Sequence, residues 1–146
     1  MDKKDITSET DIKNLIDKFY TKVIADPVIG FIFTDVINLS WEKHIPVMIA
    51  FWSSVLLGTN GYTGNPLTKH IELDKKIPLT KIHFDRWIEL WENTIAENYK
   101  GKIADEAILK AKNIASVLQI KIEKNKTPEN QNYMKRSITV QNNFQK

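Results

Sequence analysis

The chain has 146 residues, 42% hydrophobic and 27% charged, which suits one domain with a single sizeable core. It contains no cysteine, which excludes disulfides, zinc fingers, iron–sulfur clusters and thiol nucleophiles and leaves nitrogen and oxygen as metal ligands. The net charge of +3 is uneven: residues 121–146 carry six basic side chains against two acidic ones, so the basic balance belongs to the tail and does not argue for nucleic-acid binding.

No apolar run approaches the ~20 residues of a membrane span. Met1-Asp2-Lys3-Lys4-Asp5 is too polar and acidic to open a signal peptide. The expectation is a cytoplasmic protein that binds neither membrane nor nucleic acid.

Ser8 offers an N-cap for a first helix to about Ala25, in which Ile12, Leu15, Ile16, Phe19, Tyr20, Val23 and Ile24 recur at three- and four-residue spacing. Asp26-Pro27 then turns the chain. Val28 to Phe33 is short and almost wholly apolar. With no partner strand elsewhere in the sequence, a short buried helical turn is expected there.

Ser40 caps a predicted helix from Trp41 to about Leu57, and Gly58 stops it. The next stretch, rich in turn formers, leads to Pro66, which suits the first turn of a short helix carrying His70 and Ile71. An irregular segment containing Pro78 precedes Thr80, the expected cap of a helix through Tyr99. Its apolar stripe is Phe84, Trp87, Ile88, Trp91 and Ile95. Ile103 to about Ile122 forms a last helix with Ala104, Ala107, Ile108, Ala111, Ile114, Ala115 and Leu118 buried. The predicted fold class is all-α, with a folded domain over 1–122 and a polar, basic, disordered tail over 123–146.

Few constellations carry chemistry. No nucleophile turn, glycine-rich phosphate loop, His-Glu-x-x-His run or paired-carboxylate spacing is present. His83, with Asp85 and Arg86 beside it, reads as the solvated end of a helix. His44 shares a helix face with Met48, where a structural role is the commoner one. His70 sits behind a glycine-bearing loop among few apolar neighbours, either idle in solvent or held by something outside the sequence. Tyr20 and Trp87 face the core, and each either bonds a nearby carbonyl or donates to a ligand. Trp52 and Trp91 read as packing residues. Two histidines on separate helices, with Tyr20 and Trp87, would line an apolar pocket from opposite walls, as a haem iron with one axial ligand and one open face requires.

Phe19-Tyr20, Ile29-Gly30-Phe31-Ile32-Phe33, Trp41-x-x-His44, Phe51-Trp52 and Leu56-Leu57-Gly58 come in order along the chain. Tyr62-x-Gly64-x-Pro66-x-x-x-His70 and His83-Phe84-x-Arg86-Trp87 follow. Together, over roughly residues 8 to 120, they resemble the group III truncated haemoglobins of bacteria, although Phe31 stands where that family often has proline. The resemblance implies a two-over-two helical sandwich around haem b, with His70 as the proximal ligand to the iron. It also implies Tyr20 and Trp87 as distal hydrogen-bond donors, His44 as the distal histidine or gate, Met48 as an apolar distal position, and Phe33 packed on the porphyrin.

Two donors over one ligand site imply slow oxygen loss. The expected function is therefore binding of dioxygen, nitric oxide, carbon monoxide or peroxide for ligand chemistry, detoxification or sensing rather than oxygen transport. A reductase partner and oxidase-, peroxidase- or nitric-oxide-related activity are compatible with this, and no enzyme class follows. The rival expectation is a haem-free helical interaction module that docks a partner through its basic tail. A nucleic-acid binder using that tail is weaker still.

Overall fold

A computed structural model of the chain describes residues 2–37, 40–62 and 64–125, the side chain of Leu67 excepted. Residues 126–146, most of the expected tail, lie outside the described residues. Five α-helices follow one another: α1 (Glu9–Ala25), α2 (Trp41–Leu57), α3 (Pro66–Lys76), α4 (Lys81–Asn98) and α5 (Lys102–Asn125). A π turn, Ile32–Val36, separates α1 from α2. No strand occurs among the described residues, and none of their helices is long and apolar enough to cross a membrane.

The helix ends follow from local chemistry. The Ser8 hydroxyl accepts from Asp11 N–H at 3.2 Å. Asp11 reaches back to accept from Thr7 N–H at 2.9 Å and from the Lys4 ammonium at 2.7 Å. One orphan N–H of the first turn is thereby satisfied, and the Asp11 side chain fixes the residue that precedes the cap. At α2, Ser40 stands at the cap but its side chain makes no capping bond; only its carbonyl accepts, from Lys43 and His44. Gly58 ends α2 in the left-handed conformation, φ 75°, which costs glycine little.

Asp26-Pro27 does more than turn the chain. The Asp26 carboxylate accepts from Val28 N–H and Ile29 N–H, both at 3.0 Å, so the residue that terminates α1 also caps the next helical segment. Pro27 then occupies a first-turn position where its missing N–H is no loss. Gly30 is required in this segment: a Cβ there would lie 2.6 Å from the Ile24 carbonyl oxygen. The segment then widens, and Ile37 N–H donates at 3.0 Å to the carbonyl of Ile32, five residues back. The expected buried helical turn is present, and it extends beyond Phe33.

Two helix pairs, α1–α2 and α4–α5, make the two layers, which meet where α1 crosses α4; α3 leans on α5. At the centre Trp91 is fully buried, stacked on Trp52 with ring centroids 4.5 Å apart and met edge-on by Phe19 at 4.9 Å. Its indole N–H donates to the Ala107 carbonyl at 3.1 Å. Ala104, Ala107, Ala111 and Ala115 are buried, and these small side chains let α5 approach α4 closely. Ile108 and Ile114, expected to be buried, are only half-buried and pack on the margin of this core.

The predicted solvated end around His83 needs correction at Arg86. Its guanidinium reaches Asp26, sixty residues away, with Nε–Oδ1 at 2.8 Å and a terminal nitrogen at 2.6 Å. The Asp26 side chain is 2% exposed. Burial pushes its carboxyl upward, but Arg86 and the Val28 and Ile29 amides outweigh that and hold it below the usual range. His83 does remain at the helix start, where its Nδ1 accepts from Thr80 N–H at 3.1 Å. The N-terminal residues also hold more than composition suggests: Asp5 caps α5, accepting from Ile103 and Ala104 N–H at 3.0 and 2.9 Å.

Arg86→Leu, which strands a buried carboxylate, is expected to lower the melting temperature by roughly 5–10 °C. The double variant Asp26→Asn/Arg86→Leu should recover part of that loss, because asparagine still accepts from the two amides; equal melting temperatures would contradict the pairing. At Asp11, burial raises the carboxyl but Lys4 and Thr7 outweigh it and hold it at about 2. Its contribution is therefore complete above the unfolded value of about 3.9 and is lost as pH falls toward the folded one. Denaturant midpoints of Asp11→Asn should accordingly vary less between pH 4 and pH 2 than those of the parent chain.

Candidate functional site

His70 lies on α3, one turn after Pro66. Its Nδ1 is 2.6 Å from the Pro66 carbonyl oxygen. A carbonyl can only accept, so Nδ1 carries the hydrogen and the lone pair of a neutral ring is left on Nε2. Burial pushes the His70 pKa down, and the bond to Pro66 opposes this without reversing it. The ring is thus neutral at physiological pH with one nitrogen free to ligate.

The first turns of α2 carry Trp41, His44 and Met48. His44 Nε2 is 3.1 Å from the Tyr20 hydroxyl on α1. Burial lowers the His44 pKa, and the positive charge of Lys69 lowers it further. Burial raises the Tyr20 phenol well above its ordinary value, so it keeps its proton and remains a donor.

Tyr20, Phe33, Trp41 and His44 form one aromatic group. Tyr20 has ring centroids 5.3 Å from His44, 5.2 Å from Trp41 and 6.1 Å from Phe33. The capped Asp26 turn and the widened turn after it bring Phe33 back to α1. Met48 is half-buried one turn after His44 and packs against the core.

Trp87 lies on α4, beside Arg86. It runs parallel to Trp91 at 6.2 Å and takes the edge of Phe19 at 5.9 Å, and Phe19 in turn touches Tyr20 at 5.1 Å. Tyr20 and Trp87 therefore flank Phe19 rather than touch. Whereas Trp91 donates to a carbonyl, the half-buried Trp87 indole N–H has no hydrogen-bond partner among the described residues. Of the sequence's alternatives for Trp87, a bond to a nearby carbonyl is thus not the one found.

Trp41 was legible only as a motif residue, without a role of its own. Its spacing of three residues from His44 on a helix was the available signal, since such positions share a face. Among the described residues no group of three or more His, Cys, Asp or Glu could hold a metal ion.

The bacterial-like globin family model matches residues 4–120. The chain is 32% identical over 115 residues to the group 3 truncated hemoglobin ctb of Campylobacter jejuni, covering 77% of this chain and 88% of that protein. The crystal structure of the group III truncated hemoglobin from Campylobacter jejuni superimposes with a TM-score of 0.74 at 31% identity, covering 83% of this chain and 95% of that one. The sandwich of α1–α2 on α4–α5 and the sequence match agree: this chain belongs to the bacterial-like globin family, among the group III truncated haemoglobins.

Proposed function

We propose that this chain binds haem b through His70 Nε2 and uses Tyr20, His44 and Trp87 to hold a diatomic ligand. Globin membership implies haem binding. The observation that carries the residue assignment is the 2.6 Å contact of His70 Nδ1 with Pro66, which leaves a neutral Nε2 free. A tetrapyrrole fits this donor set, because it supplies the ligands that no cluster of described side chains provides. Phe33 and Met48 would supply apolar side chains beside it.

Haem, when bound, supplies an iron with one protein ligand and one position open to dioxygen, nitric oxide or carbon monoxide. The chain's part is positioning and electrostatics. Pro66 fixes the tautomer and direction of His70 and raises its basicity. Tyr20 keeps its proton, and if His44 carries hydrogen on Nε2 it donates to the phenol oxygen and frees the phenol hydrogen for a ligand. Trp87 offers a second donor. Fixed donors in a site of low dielectric stabilise a ligand with partial negative charge. Such an arrangement slows release, which suits ligand chemistry, detoxification or sensing better than delivery.

The purified protein should show a Soret band, and His70→Gly should lose or shift it and recover it with added imidazole. A protein that takes up no haem would favour the haem-free interaction module instead. Tyr20→Phe and Trp87→Phe should each raise the oxygen dissociation rate roughly 10- to 100-fold, the scale of one hydrogen bond to a charged group. Stopped-flow rates unchanged in both variants would remove the donor roles.

A further inference from the structure

We propose that Trp41 is a positioning residue that holds the His44 imidazole against the Tyr20 hydroxyl. His44 lies close to open solvent: Glu42 and Lys43 beside it are exposed, and Val47 one turn on is 42% exposed. An imidazole with an apolar body and a polar tip gains hydration by turning outward there. Its single bond to Tyr20 is too weak to fix one orientation alone.

Trp41 supplies what is missing. Its indole lies 5.2 Å from the Tyr20 ring at 62° and 5.8 Å from the His44 ring at 77°, edge-to-face with both. It also leans on Phe33 at 6.0 Å. Among the described residues it is the one ring that touches both members of the Tyr20–His44 pair. It is not a member of the central stack of Trp52 and Trp91, and its half-buried N–H has no hydrogen-bond partner among the described residues. Trp41 and His44 are three residues apart on one helix, so whatever turns the first turn of α2 moves both rings together.

The consequence for ligands rests on the haem reading above: with Trp41 in place, His44 stays inward and slows access to the distal side. Two kinds of measurement separate this inference from that reading. In the polypeptide before haem is added, nuclear Overhauser contacts between the His44 and Tyr20 rings should be clear in the parent chain and lost in Trp41→Leu. In haem-loaded protein with an unaltered Soret band, Trp41→Leu should raise the carbon monoxide association rate about 3- to 10-fold, the scale of one or two lost ring pairs, and add a second C–O stretching band. His44→Leu/Trp41→Leu should then be no faster than His44→Leu alone. Trp41→Phe keeps a smaller ring and should give a rise of about 2-fold.

Persistent His44–Tyr20 contacts in Trp41→Leu would overturn the proposal, as would an unchanged rate or full additivity with His44→Leu. Should Trp41→Leu fail to fold, Trp41→Phe decides alone, and parent-like kinetics in it overturn the proposal. Failure of parent and variants alike to take up haem bears on the haem reading and leaves the ring-contact measurement to decide this one.

Discussion

The buried carboxylate of Asp26 is the constraint on which the rest of the site depends. A carboxylate only 2% exposed would be costly without compensation, and here two backbone amides and one guanidinium provide it. Each partner belongs to a different part of the site. The amides fold the segment after α1 back toward Tyr20 and so deliver Phe33. The guanidinium belongs to the residue before Trp87. One charged group thus sets the separation of α1 from α4 at the level where Tyr20 and Trp87 flank Phe19. The exposure of Arg86, at 30%, keeps this pair in partial contact with water, while two guanidinium nitrogens converge on Asp26 Oδ1 and leave Oδ2 to the amides.

Around that anchor the aromatic side chains divide into two sets with different physics. Trp52, Trp91 and Phe19 are buried and stacked or edge-on, and the Trp91 indole is satisfied internally by its bond to Ala107. Tyr20, Phe33, Trp41 and His44 are gathered around two polar tips close to the surface. The first set holds the layers together. The second holds the Tyr20 hydroxyl and the His44 imidazole together in a largely dry aromatic setting. Trp87 belongs to both, stacked on the core by its ring and open by its nitrogen.

Most of the helices were legible in the sequence because their signals are local. Ser8, Gly58, Pro66 and Thr80 mark ends, and the spacing of Ile12, Leu15, Ile16 and Phe19 marks a buried face. The histidine roles could be framed but not decided from spacing, since an isolated histidine looks the same with or without a purpose. Arg86 was misread for a physical reason: its partner lies sixty residues away and leaves no pattern near either residue. The capping of α5 by Asp5 is hidden in the same way, across almost the whole chain. Trp41 could be seen in a motif, but its contacts with three rings on three segments exist only once the chain is folded.

The bond from His70 to Pro66 has a mechanical consequence. Donor and acceptor belong to one turn of one helix, so the bearing of the imidazole is fixed relative to the axis of α3 and not to the surrounding layers. Ring and helix form a single lever. A rotation of α3 therefore carries the ring with it, and α3 leans on α5. The bearing of that one imidazole is thereby tied to the longest helix of the fold.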